Sequence, residues 1–215
     1  VAPVHVAPFG TFVYAEMKAP FESAELTIEA TVQNSGLQLA NYRLVHVLFD
    51  ADGQEVARCE APGAHLLPKA KEQTLTRMMV EKPHLWDTEN PYLYIVRTEV
   101  YQEENLVDVY TTRTGIRHIE FHADKGFLLN GTAAKPKAPN MHPHHAGVRA
   151  GIPDALQYFR LRELKKMGAN AYRSSHNPMT PEMLDACDEL GILVIEENRL
   201  TGINEEHMRL FQRMI

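Results

Sequence analysis

The first half of the chain alternates. From Glu25 to Gln33 the order Glu-Leu-Thr-Ile-Glu-Ala-Thr-Val-Gln switches between polar and apolar at every step. That is the pattern of a strand with one face in a core and the other in water. Strand-like runs fall at 42–49, 54–59, 73–80, 92–101 and 106–112. Turn signals separate them: Asn34-Ser35-Gly36, Ala51-Asp52-Gly53, Ala61-Pro62-Gly63 and Glu89-Asn90-Pro91. About seven short strands in about 100 residues predict an immunoglobulin-like β-sandwich. The Cys…Trp…Cys spacing of antibody domains is absent, so the prediction concerns architecture alone.

After Gly115 the period changes. Asp154 is placed to cap a helix running to about Met167, with Leu161, Leu164 and Met167 on one side and Gly168 as its stop. A short segment at 169–174 follows. Thr180 then caps a second helix, with Pro181 at its first position and Gly191 at its end. Ile192-Leu193-Val194-Ile195 is apolar without alternation, as buried parallel strands are. This rhythm of strand and helix predicts an α/β second half built on a parallel sheet or barrel. About 100 residues follow Gly115, room for three βα units, whereas a complete (β/α)8 barrel takes about 250.

Composition narrows the function. Apolar residues make up 44% and charged residues 23% of the 215, enough for a packed core. The 22 Lys and Arg against 28 Asp and Glu give a net charge of −6. No basic excess is available for a nucleic-acid backbone or an anionic membrane surface. No apolar run approaches the roughly 18 residues of a membrane-spanning helix. Cys59 and Cys187 are too few and too far apart for a disulfide framework or a paired-cysteine zinc site, and they carry no signal of compartment. The chain opens at Val1 and ends at Ile215 inside a helical pattern. We therefore expect a piece of a longer protein, with any signal peptide upstream.

The candidate chemistry lies where the carboxyl ends of parallel strands are expected. Three such ends carry Asn140-Met141-His142-Pro143-His144-His145, Arg173-Ser174-Ser175-His176-Asn177-Pro178 and Glu196-Glu197-Asn198-Arg199. Together they make a polar pocket suited to a hydroxyl-rich ligand. A metal at His142, His144 and His145, with His118 and His122 in support, is not expected. Pro143 stiffens the run, no Cys or Asp joins it, and zinc ligands come from separated positions. Glu196 and Glu197 are adjacent on a strand and point to opposite faces, so they cannot flank one glycosidic bond. Ser174 and Ser175 lack a glycine-flanked elbow, so a nucleophilic triad is not expected; no glycine loop cradles a phosphate, and no cofactor is expected.

Ordered landmarks run through the chain: Leu85-Trp86-Asp87-Thr88-Glu89-Asn90-Pro91-Tyr92-Leu93-Tyr94, Gly115-Ile116-Arg117, Gly126-Phe127-Leu128-Leu129-Asn130-Gly131 and Asn140-Met141-His142. Asn170-Ala171-Tyr172-Arg173-Ser174-Ser175-His176-Asn177-Pro178 and Cys187-Asp188-Glu189-Leu190-Gly191-Ile192-Leu193-Val194-Ile195-Glu196-Glu197-Asn198 complete the series. In this order they resemble glycoside hydrolase family 2 over nearly the whole chain, and the bacterial β-galactosidases most within it. The resemblance implies a retaining exo-β-glycosidase acting on terminal β-D-galactosides. Residues 1–8 would end a preceding sugar-binding domain or its linker, 9–115 would form the immunoglobulin-like domain, and 116–215 would open a truncated TIM barrel.

By the same resemblance both catalytic glutamates lie beyond Ile215, so the chain alone would be inactive. Its own substrate-binding set would be Asn140, His142, Arg173, His176, Glu197 and Asn198. His142 and His176 would contact sugar hydroxyls, and Arg173 would position a carboxylate. The magnesium-binding Glu-x-His of some relatives is replaced here by Asn198-Arg199-Leu200-Thr201-Gly202, so no metal is expected. Lys135-Pro136-Lys137-Ala138-Pro139 stands where the first barrel strand belongs, and two prolines predict an irregular strand. The open barrel would expose strand edges and apolar faces, which predicts partial disorder or self-association. Two other readings stand beside this one: a non-catalytic carbohydrate-binding module, and a piece of a β-glucuronidase or β-mannosidase.

Overall fold

The computed structural model of the chain describes residues 2–142, 144–197 and 202–212. It divides into two compact units, one of residues up to Trp86 plus Tyr92–Thr132, the other of Asp87–Pro91 plus the residues from Ala133 onward.

Seven strands build the sandwich of the first unit: β1 (Val4–Glu16), β2 (Ser23–Asn34), β3 (Ala40–Phe49), β4 (Glu55–Leu66), β5 (Lys71–Glu81), β6 (Tyr94–Gln102) and β7 (Asn105–Thr114). They form a sheet of order β1-β2-β5 and a sheet of order β4-β3-β6-β7, the immunoglobulin-like sandwich that the alternation predicts. On β2, Ala24, Leu26, Ile28, Ala30 and Val32 are fully buried. Leu26 and Ile28 share a core cluster with Leu48, Met78, Val80, Tyr94, Val96 and Ile116. Burying a Leu or Ile side chain contributes about 1.5–3 kcal/mol, so this central strand anchors the sandwich.

Two details differ from the sequence pattern. Pairing on β1 starts at Val4, opposite Asn34, so residues 4–8 lie in the first strand and not in a linker ahead of it. Val4 and Val6 are buried in the sandwich core, and that burial draws the segment into the sheet. Ala61-Pro62-Gly63 is not a turn. It continues β4, with Tyr42 opposite Ala64 and Leu44 opposite Ala61, so that one extra residue bulges there. β4 is an edge strand, where a proline lacking its N–H costs no ladder hydrogen bond.

Several landmark residues meet at Trp86, which is fully buried. Its N–H donates to the Ile116 carbonyl at 2.8 Å, and the Arg117 guanidinium lies over its ring at 4.8 Å. A Cβ on Gly115 would sit 2.8 Å from Trp86 side-chain atoms, so only glycine allows this approach. The Asn130 side chain donates to the Trp86 carbonyl at 3.1 Å and accepts from His118 N–H at 2.8 Å. β8 (Ile119–His122), β9 (Gly126–Leu129) and β10 (Thr132–Ala133) form a small sheet in this region. The first unit therefore runs on to Thr132, past the change of period at Gly115.

In the second unit a parallel sheet of β11 (Asn140–Met141), β12 (Ala171–Ser174) and β13 (Leu193–Ile195) alternates with α1 (Asp154–Lys166), α2 (Pro181–Leu190) and α3 (Glu205–Gln212). This is the strand–helix alternation with which a TIM barrel opens. Thr180 caps α2, its side chain accepting from Met183 N–H, with Pro181 first in the helix and Gly191 left-handed at its end. α1 departs from expectation at its start, where Pro153 holds the cap position and Asp154 is the first helical residue. Its carboxylate still favours the positive end of the helix dipole. Gly168, at φ 89°, ends α1 as predicted.

Residues 134–139 form no strand. Asn170 supplies the pairing that Pro136 and Pro139 deny: its Oδ1 accepts from Lys137 N–H at 2.7 Å and its Nδ2 donates to the Lys135 carbonyl at 3.2 Å. One side-chain amide thus replaces two rungs of a ladder. Lys165 Nζ donates to the carbonyls of Thr88 and Gly191, tying the 87–91 segment to the end of α2.

Candidate active site

The parallel register fixes which side chains meet. Asn140 pairs with Arg173 and Arg173 with Ile195, so the ends of β11, β12 and β13 lie level. Arg173 spans them. Its Nη1 donates to Asn140 Oδ1 at 3.2 Å and its Nη2 to Glu197 Oε1 at 3.0 Å. His176 Nδ1 lies 2.9 Å from the same Glu197 oxygen. Glu197 N–H donates to Ser174 Oγ at 2.8 Å, which fixes the backbone beneath the carboxylate.

Glu197 is held as an anion. The hydrogen bond from His176, then the charge and hydrogen bond of Arg173, keep its carboxyl below the usual carboxylate range. Its Oε2 has no partner among the described residues, which leaves one acceptor unused. Glu196 turns elsewhere: its Oε1 accepts from Met179 N–H at 2.7 Å, and burial raises its carboxyl. The two adjacent glutamates therefore serve different places.

His142 stands beside this cluster. Its ring lies edge-on to that of His176 at 5.4 Å, with His144 6.3 Å away. No group of three or more His, Cys, Asp or Glu among the described residues is arranged to hold a metal ion. Asn198, expected in the binding set, and Arg199–Thr201, on which the expected absence of magnesium rests, lie outside the described residues.

Three contributors fall outside the expected binding set. Ser174 acts as an acceptor for Glu197 N–H, and Glu196 holds the loop after β12 through Met179. Arg160, on α1, donates from Nη2 to the His142 carbonyl at 3.1 Å. Its signal was available: Gln157, Arg160, Leu161 and Leu164 are spaced as one helix face, and two polar residues on an inward face call for polar partners.

The arrangement is one of fixed donors around one fixed carboxylate at the ends of three parallel strands. Comparison with known proteins gives the family. The family model for glycosyl hydrolases family 2 matches residues 4–117, and the model for the TIM barrel domain of the same family matches residues 121–212. The chain belongs to glycoside hydrolase family 2.

Among family 2 relatives, a β-galactosidase of Bacteroides ovatus is 37% identical over 91% of this chain and 23% of its own length. A β-glucuronidase of Formosa agariphila is 31% identical over 86% of this chain and 19% of its own. A solved family 2 structure from Bacteroides cellulosilyticus superposes with a TM-score of 0.84 at 34% identity, over 91% of this chain and 27% of that one. The chain thus spans about a quarter or less of the relatives it matches.

Proposed function

We propose that this chain forms part of a longer retaining exo-β-glycosidase that hydrolyses terminal β-D-galactosides by double displacement. The Arg173–Glu197–His176 cluster carries the reading, because it sets a fixed carboxylate and two cation-capable donors at the ends of barrel strands. Asn140, His142, Arg173, His176, Glu197 and Asn198 would bind the sugar. His142 and His176 would donate to hydroxyls whose hydrogen bonds strengthen as charge develops on the ring, which raises rate without a covalent bond. Arg173 would keep Glu197 aimed and ionised. Relatives named β-galactosidase, at 37% and 32% identity, support the choice of sugar.

Neither Glu196 nor Glu197 is proposed as acid or nucleophile. A retaining enzyme needs two carboxyls about 5–5.5 Å apart across one bond, the acid with a raised pKa. Glu197 is ion-paired and acidic, and Glu196 is engaged by Met179 N–H. The 215-residue chain alone is therefore proposed to be inactive. Purified chain incubated with an aryl β-D-galactoside should release no phenol. Release that survives removal of contaminating enzyme contradicts this.

The β-glucuronidase reading draws on a relative of that name at 31% identity and on a β-glucuronidase structure with a TM-score of 0.86 at 27% identity. A panel of aryl glycosides separates the two.

A further inference from the structure

Behind the site, between α1, α2 and the loop after β12, lies a cavity of about 100 Å³. Its walls are largely apolar, from residues such as Met141, Ile152 and Met183, and no Asp or Glu lines it. Of its polar lining residues, Arg160 alone is charged. Arg160 is 9% exposed, and among the described residues its guanidinium has one hydrogen-bond partner, the His142 carbonyl, and no carboxylate. Ser175 is 3% exposed and its buried Oγ has no partner among the described residues. Gln157, also lining, has its Oε1 occupied by the Thr180 hydroxyl at 3.2 Å, so its remaining polar group is the donor NH2.

A buried cation without a counter-charge is costly, and so is a buried hydroxyl without a partner. A water needs about 30 Å³ of liquid volume, so this space holds a small ion with room to spare. We propose that the cavity is a binding site for a small monovalent anion, a halide or a compact carboxylate such as formate, held between Arg160 and Ser175. Arg160 supplies the charge and Ser175 the hydroxyl. Because the same guanidinium holds the His142 carbonyl, occupancy also stiffens the end of β11.

The test uses the complete protein. Its thermal midpoint is followed against sodium formate at constant ionic strength, balanced with sodium gluconate, whose anion is too large for the cavity. Crystals soaked in sodium bromide locate the ion by anomalous scattering. The proposal expects a saturable rise in midpoint with formate, absent in Arg160→Met, and a bromide peak between Arg160 and Ser175. Ser175→Ala removes a hydroxyl that lacks a partner, so it folds without the anion and binds formate about tenfold more weakly. It decides the matter if Arg160→Met does not fold. A flat midpoint with only water in the cavity overturns the proposal. So does a rise that Ser175→Ala leaves unchanged. None of these readouts depends on the glycosidase reading.

Discussion

Glu197 stands two residues beyond Ile195, the register partner of Arg173, and Arg173 Nη2 reaches back across that offset to its Oε1 at 3.0 Å. The contact needs a guanidinium that serves Asn140 and Glu197 at once. A lysine presents one point charge and cannot span both. Arg173→Lys in the complete enzyme should lower kcat/KM for an aryl β-galactoside by about 100-fold, the scale of a misplaced active-site group. Steady-state kinetics check this, and unchanged kcat/KM contradicts the positioning role.

Acidification should loosen the same cluster. Glu197 has a depressed carboxyl, so its pairing stabilises the fold fully above the ordinary carboxylate pKa and is lost as pH falls through its own lower value. Glu197→Gln should remove that component of the acid-side loss. Denaturant midpoints measured from neutral pH downward test it, and identical acid profiles for both proteins contradict it.

His46 gives a second pH dependence, in the sandwich. It pairs across strands with Thr98, its Nδ1 3.0 Å from Thr98 Oγ1, and burial pushes its imidazole from 6.5 down to about 4. Below the ordinary histidine pKa the unfolded chain takes up a proton that the folded one refuses. Stability is therefore complete above pH 6.5 and falls between 6.5 and about 4, by up to about 3 kcal/mol. His46→Gln should flatten that window, read by denaturant unfolding at stepped pH.

Much of this fold was legible. The β2 alternation gave its buried face, and Thr180, Pro181 and Gly191 gave both ends of α2, because each rests on local chemistry. The three strand-end segments were likewise visible as polar clusters. Which side chains meet was not. That Arg173 takes Glu197 follows from a parallel register that no local pattern encodes. Pro62-Gly63 signals a turn in isolation, and only the edge position of β4 makes it a bulge. The role of Asn170 reaches back 33 residues along the chain to Lys137.

Asn170 offers a further test. Asn170→Ala removes both bonds to the 135–137 backbone, and should cost the second unit roughly 1–3 kcal/mol. Amide exchange should quicken at Lys137 while the sandwich strands stay protected. Unaltered exchange at Lys137 contradicts the substitute-ladder account.

Gly191 is constrained twice. It has φ 68°, and a Cβ there would lie 2.5 Å from the Thr88 carbonyl oxygen. Gly191→Ala should cost about 1–2 kcal/mol from the backbone alone, more with the clash. A thermal midpoint equal to that of the parent sequence contradicts it.

Sugar preference separates the readings. The direct measurement is kcat/KM of the complete protein for aryl β-D-galactoside, β-D-glucuronide and β-D-mannoside under one set of conditions. We predict the galactoside is preferred by at least about tenfold, the discrimination that a few pocket contacts supply. Preference for the glucuronide or the mannoside contradicts the account.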